Sequence, residues 1–148
     1  MKQSGPTGKH RKEIRQVFTR YQSAVFGKNV DAFVALYAED VRIFDLWGRW
    51  AYTGTKAWRG MAAGWLGSLG DEQVKVEWED VQITVTPGLG VAHAFITFKG
   101  LSAAGRELRA MRERLTWALR PENGVWKIVH QHTSAPIDFG TMKIIQKR

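Results

Sequence analysis

The hydrophobic period of this chain changes once, near residue 74, and that change limits the folds open to it. Before it, apolar residues recur every three or four positions, the period of a helix; after it, they recur every second position, the period of a strand. Ile14, Val17, Phe18, Tyr21 and Val25 predict an amphipathic helix over 11–26, ended at Gly27. Asn29 can cap a short second helix carrying Phe33, Leu36 and Tyr37. A strand is expected over Val41–Asp45, followed by a Trp- and Gly-rich loop from Leu46 to Tyr52. Thr55 can cap a third helix with Trp58, Met61, Ala62, Trp65, Leu66 and Leu69 at helical spacing.

Beyond residue 74 the reading is strand after strand. Val74, Val76 and Trp78 alternate with charges, and Val81, Ile83 and Val85 continue in the opposite parity, so a bulge is expected near Glu79–Asp80. Pro87–Gly88 reads as a turn and Val91–Lys99 as a central strand. Leu108–Arg120 and Val125–Ser134 form a hairpin around Pro121–Gly124. Helices gathered before an antiparallel meander define an α+β class. A strongly bent antiparallel sheet wrapped around three N-terminal helices makes a cone with one internal pocket.

Composition narrows the function. The chain of 148 residues suits one domain and contains no cysteine, which excludes thiolate chemistry and disulfides. The polar start is not expected to be a secretory signal, and no apolar run is long enough to span a membrane, so a cytoplasmic location is expected. The net charge of +8 is confined to the ends, because residues 21–142 hold 13 basic and 13 acidic groups. The charge therefore predicts solubilising tails and no specific nucleic-acid partner. Residues 1–10 are expected to be a disordered basic tail and 137–148 a basic extension, leaving 11–136 as the domain.

Two blocks carry a resemblance. One is Arg114-x-Thr116-x-x-Leu119-Arg120-x-x-x-Gly124-x-Trp126-x-Ile128-x-His130-x-His132-x-Ser134-x-Pro136; the other is Asp31 to Val41, with Tyr52-x-Gly54 after it. The chain resembles the SnoaL-like domains of the nuclear transport factor 2-like superfamily. It is also similar to the association domain of calcium/calmodulin-dependent protein kinase. The resemblance implies the cone fold, a homodimer paired through the outer sheet face, and a range of functions from isomerases, cyclases and dehydratases to non-catalytic assembly modules. Aligned with ketosteroid isomerase, the catalytic base falls on Asp45 and the oxyanion-hole tyrosine on Tyr21, while the second oxyanion donor, a protonated aspartate there, falls near Thr116 and is missing here.

Asp45 shares parity with Val41 and Ile43, so it lies on the apolar face of its strand, where a carboxylate's pKa rises and general acid–base work becomes possible. The alternative is a strand-end aspartate bonded to loop amides. Tyr21, on the apolar stripe of the first helix, is either a core tyrosine or a pocket donor. His130 and His132 lie two apart and are expected on one face with Trp126, Ile128 and Ser134, as pocket lining, proton relays or structural groups. Arg114, on a face with Arg112 and Thr116, is either inside the cone, the favoured reading, or on the outer sheet pairing with a neighbouring carboxylate or a partner subunit, and Leu115, Trp117 and Leu119 on the opposite face offer an apolar row for a partner subunit. Of seven tryptophans, Trp47, Trp50, Trp58 and Trp65 are expected at the pocket mouth, with Phe44, Tyr52, Met61 and Phe95 completing the lining. The expected ligand is a small apolar or aromatic compound, with no metal and no cofactor.

Overall fold

A computed structural model of the chain describes residues 6–146. Three helices precede the main run of strands: α1 spans Pro6–Phe26, α2 Val30–Val34 and α3 Thr55–Gly67. The strands are β1 (Tyr37–Phe44), β2 (Tyr52–Thr53), β3 (Gln73–Thr86), β4 (Leu89–Leu101), β5 (Glu107–Glu122) and β6 (Val125–Ser134). They form one six-stranded sheet in the order β2-β1-β6-β5-β4-β3. The sheet curls without closing, and α1 lies against the inner side of β3.

Most element positions follow the period. Asn29 caps α2 through its side-chain oxygen, which accepts the Ala32 N–H at 3.0 Å. The parity slip in β3 is a bulge: register shifts between Glu79 and Gln82, and Asp80 sits at φ 53°. The bend lets β3 wrap α1, where the Trp78 indole donates to the Phe18 carbonyl at 3.1 Å and Gln22 to the Val76 carbonyl at 2.9 Å. The β5–β6 hairpin closes on Asn123 and Gly124, both at positive φ, as a two-residue turn of this hand requires.

Four differences stand out. α1 begins at Pro6, so residues 6–10 of the expected disordered tail are helical, and His10 packs on Trp126 with ring centroids 5.3 Å apart. A helix already held by its apolar stripe can extend past it when the added turn finds one contact. Residues 1–5 lie outside the described part. β1 starts earlier than expected, at Tyr37, and pairs with β6 in parallel, so the sheet is mixed where a pure meander predicts an antiparallel one. The N-cap of α3 is Gly54, at φ 85°, with Thr55 the first helical residue.

The fourth difference is the facing of β5. Leu115, Trp117 and Leu119, expected outside, are 1%, 0% and 0% exposed and form the core with α1. Arg112, Arg114 and Thr116 therefore point outward. The error lies in the face assigned to the row, since alternation alone leaves the choice of faces open. Among the described residues no helix is long and apolar enough to cross a membrane.

Candidate active site

The wide end of the cone holds a cavity of about 660 Å³, within the usual range for small-molecule sites. Its walls are Trp47, Tyr52, Trp58, Met61 and Trp65 from the loop after β1, β2 and α3, with Phe33 of α2 and Phe98 of β4. Tyr52 and Trp58 meet edge to face at 5.2 Å, and Trp65 and Phe98 at 5.8 Å. The floor is polar: Tyr21 of α1, Asp45 at the end of β1, Glu113 of β5, and Gln131 and Thr133 of β6. Arg109, Ala110, Met111 and Gln146 stand at the rim. The last of these is held by its carbonyl, which accepts the Arg112 N–H at 2.7 Å where β6 has ended and left the edge of β5 free.

Asp45 is half-buried and keeps the inward parity of Val41 and Ile43. Its Oδ1 accepts from the Thr133 hydroxyl at 3.1 Å and its Oδ2 from the Trp47 N–H at 3.4 Å. Burial pushes its carboxyl above the usual range, while Thr133 and the loop amides of Trp47 and Leu46 pull the other way. Asp45 thus accepts a loop amide and also faces the cavity. Tyr21 is 3% exposed, with its ring against Phe33, Trp78 and Trp117. Burial, then the nearby Tyr37, Glu113 and Asp45, keep its phenol protonated well beyond the ordinary range. It therefore keeps a proton to donate.

Glu113 is one residue the sequence reading missed. It is 4% exposed in the row Glu113-Leu115-Trp117-Leu119, and burial followed by the Asp45 charge lifts its carboxyl to about 7, against the Thr133 and Trp47 side chains. The signal was present: a carboxylate continuing the most apolar row of its strand. Gln131 was missed as well. Its Oε1 accepts from the Tyr37 hydroxyl at 2.6 Å and from the Trp117 indole at 2.9 Å. An indole N–H can only donate, so this end of the amide must be the oxygen, and the NH₂ end is turned away from that pair of donors.

Several expected site residues lie elsewhere. His130 and His132 are on the outer face of β6: His130 Nδ1 donates to the Arg42 carbonyl at 2.7 Å, and both rings pack on Phe44, at 4.9 and 5.5 Å. The reason is a bulge. Ala118 pairs with His130 but Leu119 pairs with Ile128, so Val129 is an extra residue and parity reverses after Ile128. Trp126 and Ile128 point inward, and then Gln131 and Thr133 do. Phe44 is therefore outside too, with Arg42 over its ring at 5.4 Å. Arg114 donates to the Ser134 hydroxyl at 3.0 Å on the outer face, and Thr116 is exposed beside it. Phe95 lies under the Arg112 guanidinium at 4.5 Å, again outside. Trp50 is 98% exposed and lines nothing. Asp45, Tyr21, Trp47, Tyr52, Trp58, Met61 and Trp65 do come together. Among the described residues no group of three His, Asp or Glu side chains is arranged to hold a metal ion.

A bent sheet around helices with an apolar, acid-floored cavity defines a nuclear transport factor 2-like fold of the pocket-bearing kind. The chain belongs to the SnoaL-like domain family, which matches residues 14–138. No curated protein matches its sequence. Among solved structures it is similar to a nuclear transport factor 2-like protein of unknown function from Pseudomonas putida, at 24% identity and a TM-score of 0.84 over 97% of this chain and 99% of that one. It is also similar to a putative calcium/calmodulin dependent protein kinase II association domain from Xanthomonas campestris, at 17% identity and a TM-score of 0.72 over 90% and 89% of the two chains. A superfamily protein from Salmonella enterica gives 19% identity and a TM-score of 0.71 over 92% and 97%. At these identities the likeness extends to the fold alone.

Proposed function

We propose that the chain binds a small apolar or aromatic carbonyl compound in this cavity and moves protons on it without a cofactor. One observation carries the reading: a half-buried carboxylate, Asp45, and a buried phenol, Tyr21, face the same aromatic-walled cavity. A carboxylate with a raised pKa serves as a base near neutral pH, and a phenol that stays protonated donates to an oxygen that becomes negative. His130, His132 and Arg114 take no part, because they lie across the sheet from the cavity.

Two measurements test this. Native mass spectrometry of freshly purified protein should find a small molecule retained at one per chain. In deuterated water, the protein should exchange the α-hydrogens of a flat aromatic ketone, and Asp45→Asn should abolish the exchange while the fold survives. Exchange equal in wild type and Asp45→Asn would remove Asp45 from the chemistry.

A second reading is a non-catalytic assembly module; the Xanthomonas relative is itself named a putative association domain. The apolar side chains left exposed on the C-terminal segment favour it: Ile137, Phe139 and Met142 are 58%, 96% and 73% exposed. A second copy covering them would make a homodimer. Sedimentation as a monomer at micromolar concentration would sink this reading.

A further inference from the structure

We infer that Asp45 and Glu113 form one acid–base pair that shares a single proton through Thr133 and eliminates water from a neutral β-hydroxy carbonyl compound. The inference rests on the proposed acid–base role of the cavity and names its reaction. It starts from hydrogen-bond capacity. A threonine hydroxyl has one proton to donate and two lone pairs to accept with. Thr133 spends its proton on Asp45 Oδ1, at 3.1 Å, and accepts the Leu46 N–H at 2.9 Å. One lone pair remains, and Glu113 faces the same hydroxyl from the neighbouring strand, two residues removed from Leu115, the cross-strand partner of Thr133. Only a protonated Glu113 can use that lone pair, by donating to it. In the inferred array Glu113 donates its O–H to Thr133 Oγ1 and Thr133 donates to Asp45, because the single Thr133 proton, which would otherwise favour a charged Glu113, is spent on Asp45.

The surroundings agree. Glu113 is 4% exposed. The other charged or titratable groups that face it are Asp45 from β1, Tyr21 from α1 and, at the rim of its own strand, Arg109. Arg109 is held by Glu72 at 2.6 Å. With no cation on the floor among the described residues, two charges side by side are disfavoured and one proton stays. Glu113 titrates near 7, so at neutral pH the pair offers an acid and a base together.

That composition selects the reaction. A proton shift along a carbon chain needs one carboxylate, which can return the proton it took. Elimination of water uses a base for the C–H proton and gains from an acid that protonates the leaving hydroxyl, and the pair supplies both. Asp45 removes the proton next to the carbonyl; the C–H electrons form the new C=C bond; the C–O bond breaks, and the hydroxyl leaves as water with the proton of Glu113. Asp45 is then protonated and Glu113 ionised, and Thr133 returns the proton by accepting from one and donating to the other. The carbonyl oxygen takes its hydrogen bond from Tyr21. Substrates that carry a carboxylate into the floor are excluded by the charge of the pair.

The test combines carbon-13 NMR of the carboxyls with turnover of 4-hydroxy-4-phenylbutan-2-one, whose dehydration gives a conjugated ketone visible by near-ultraviolet absorbance. In wild type the two carboxyls should titrate as a coupled pair, and Glu113→Gln and Asp45→Asn should each move the midpoint of the carboxyl that remains. Dehydration should fall roughly a hundredfold or more in either variant, as loss of a general acid or base does. Glu113→Gln should lose far more dehydration than α-hydrogen exchange in deuterated water, because exchange delivers no proton to a leaving hydroxyl. Midpoints unmoved by the other substitution overturn the pair and leave Asp45 as a lone base. Exchange that depends on Asp45, with dehydration absent or indifferent to Glu113, overturns the inference while the proposed function stands. Absence of both exchange and dehydration in wild type overturns both.

Discussion

On β5 and β6 the concave face carries Glu113, Leu115, Trp117, Gln131 and Thr133, and the convex face carries Arg112, Arg114, Thr116, His130 and His132. The convex set is richer in residue types associated with catalysis. Yet its polar groups end on a backbone carbonyl, a serine hydroxyl or a carboxylate at the surface. The concave set is plainer, and its polar groups meet one another around a cavity. Trp117 and Tyr37 fix the Gln131 amide, and Thr133 connects Asp45 to the loop amide of Leu46. The lesson is physical. Away from water, a hydroxyl, an amide and two carboxyls constrain each other's protons, whereas polar groups at the surface can meet water instead. Side-chain direction, more than residue type, decides where chemistry can occur.

The comparison breaks most sharply at adjacent residues of β5. Trp117→Ala should cost about 3–5 kcal/mol, because it empties a fully buried site and leaves Gln131 without one of its donors. Its neighbour Thr116→Ala, on the exposed face, should change stability by no more than about 0.5 kcal/mol. Denaturant unfolding of the two variants measures both. Comparable losses would show that the two faces are not energetically distinct.

The second effect is a pH dependence that belongs to the concave face. The Glu113 carboxyl is raised from 4.5 to about 7. Below the lower value both folded and unfolded chains hold the proton, and stability is complete. Between the two values the unfolded chain releases its proton while the folded chain keeps it, so stability falls as pH rises. Above about 7 the loss, roughly 3 kcal/mol, levels off. Asp45 adds a smaller slope of the same sign at lower pH, since its carboxyl is also raised. Glu113→Gln should flatten the upper part of the curve and be more stable than wild type at pH 8. An unchanged slope in that variant would remove Glu113 as its source.

The sequence revealed the fold more readily than the site. The period change placed three helices before the meander, and the parity slip at Glu79–Asp80 located the β3 bulge, because both depend on local alternation. Asp45 and Tyr21 were legible for the same reason: each continues an apolar row whose burial is unambiguous. The β6 bulge was not legible. Val129 is apolar in an apolar strand, so inserting it disturbs no pattern, yet it exchanges His130 and His132 for Gln131 and Thr133 in the cavity. Glu113 was hidden differently. Its row was correctly separated from the Arg112–Arg114–Thr116 row and then assigned to the wrong face, which alternation cannot determine. The parallel β1–β6 pairing depends on how the two ends of the chain meet, and no local pattern encodes it.

Thr133 sharpens the comparison at a smaller scale. Thr133→Val keeps the shape but removes the acceptor for the Leu46 N–H and the donor to Asp45. The expected cost is about 1–3 kcal/mol, and the Asp45 carboxyl should move further up, having lost the hydrogen bond that favours its charged form. Thr133→Ser, which keeps the hydroxyl, should restore the Asp45 midpoint even if packing loosens. A serine variant that titrates like the valine one would show the methyl group, and not the hydroxyl, to be what matters.

The smallest effect is expected on the convex face, and it tests the comparison from the other side. His132→Ala removes an exposed imidazole that packs on Phe44 at 5.5 Å and makes no contact with the cavity lining. Arg114→Ala removes one surface hydrogen bond to Ser134. Each should alter stability by less than about 1 kcal/mol. Each should also leave α-hydrogen exchange of an aromatic ketone unchanged within about twofold, because neither side chain reaches the floor and surface charges act weakly across a packed sheet at physiological salt. The result matters because these residues have the types most often associated with acid–base work. A tenfold loss of exchange in His132→Ala, with the fold intact, would mean that the convex face communicates with the cavity through β6. The separation of the two faces, and with it the assignment of the chemistry to Asp45, Glu113 and Tyr21, would then have to be abandoned.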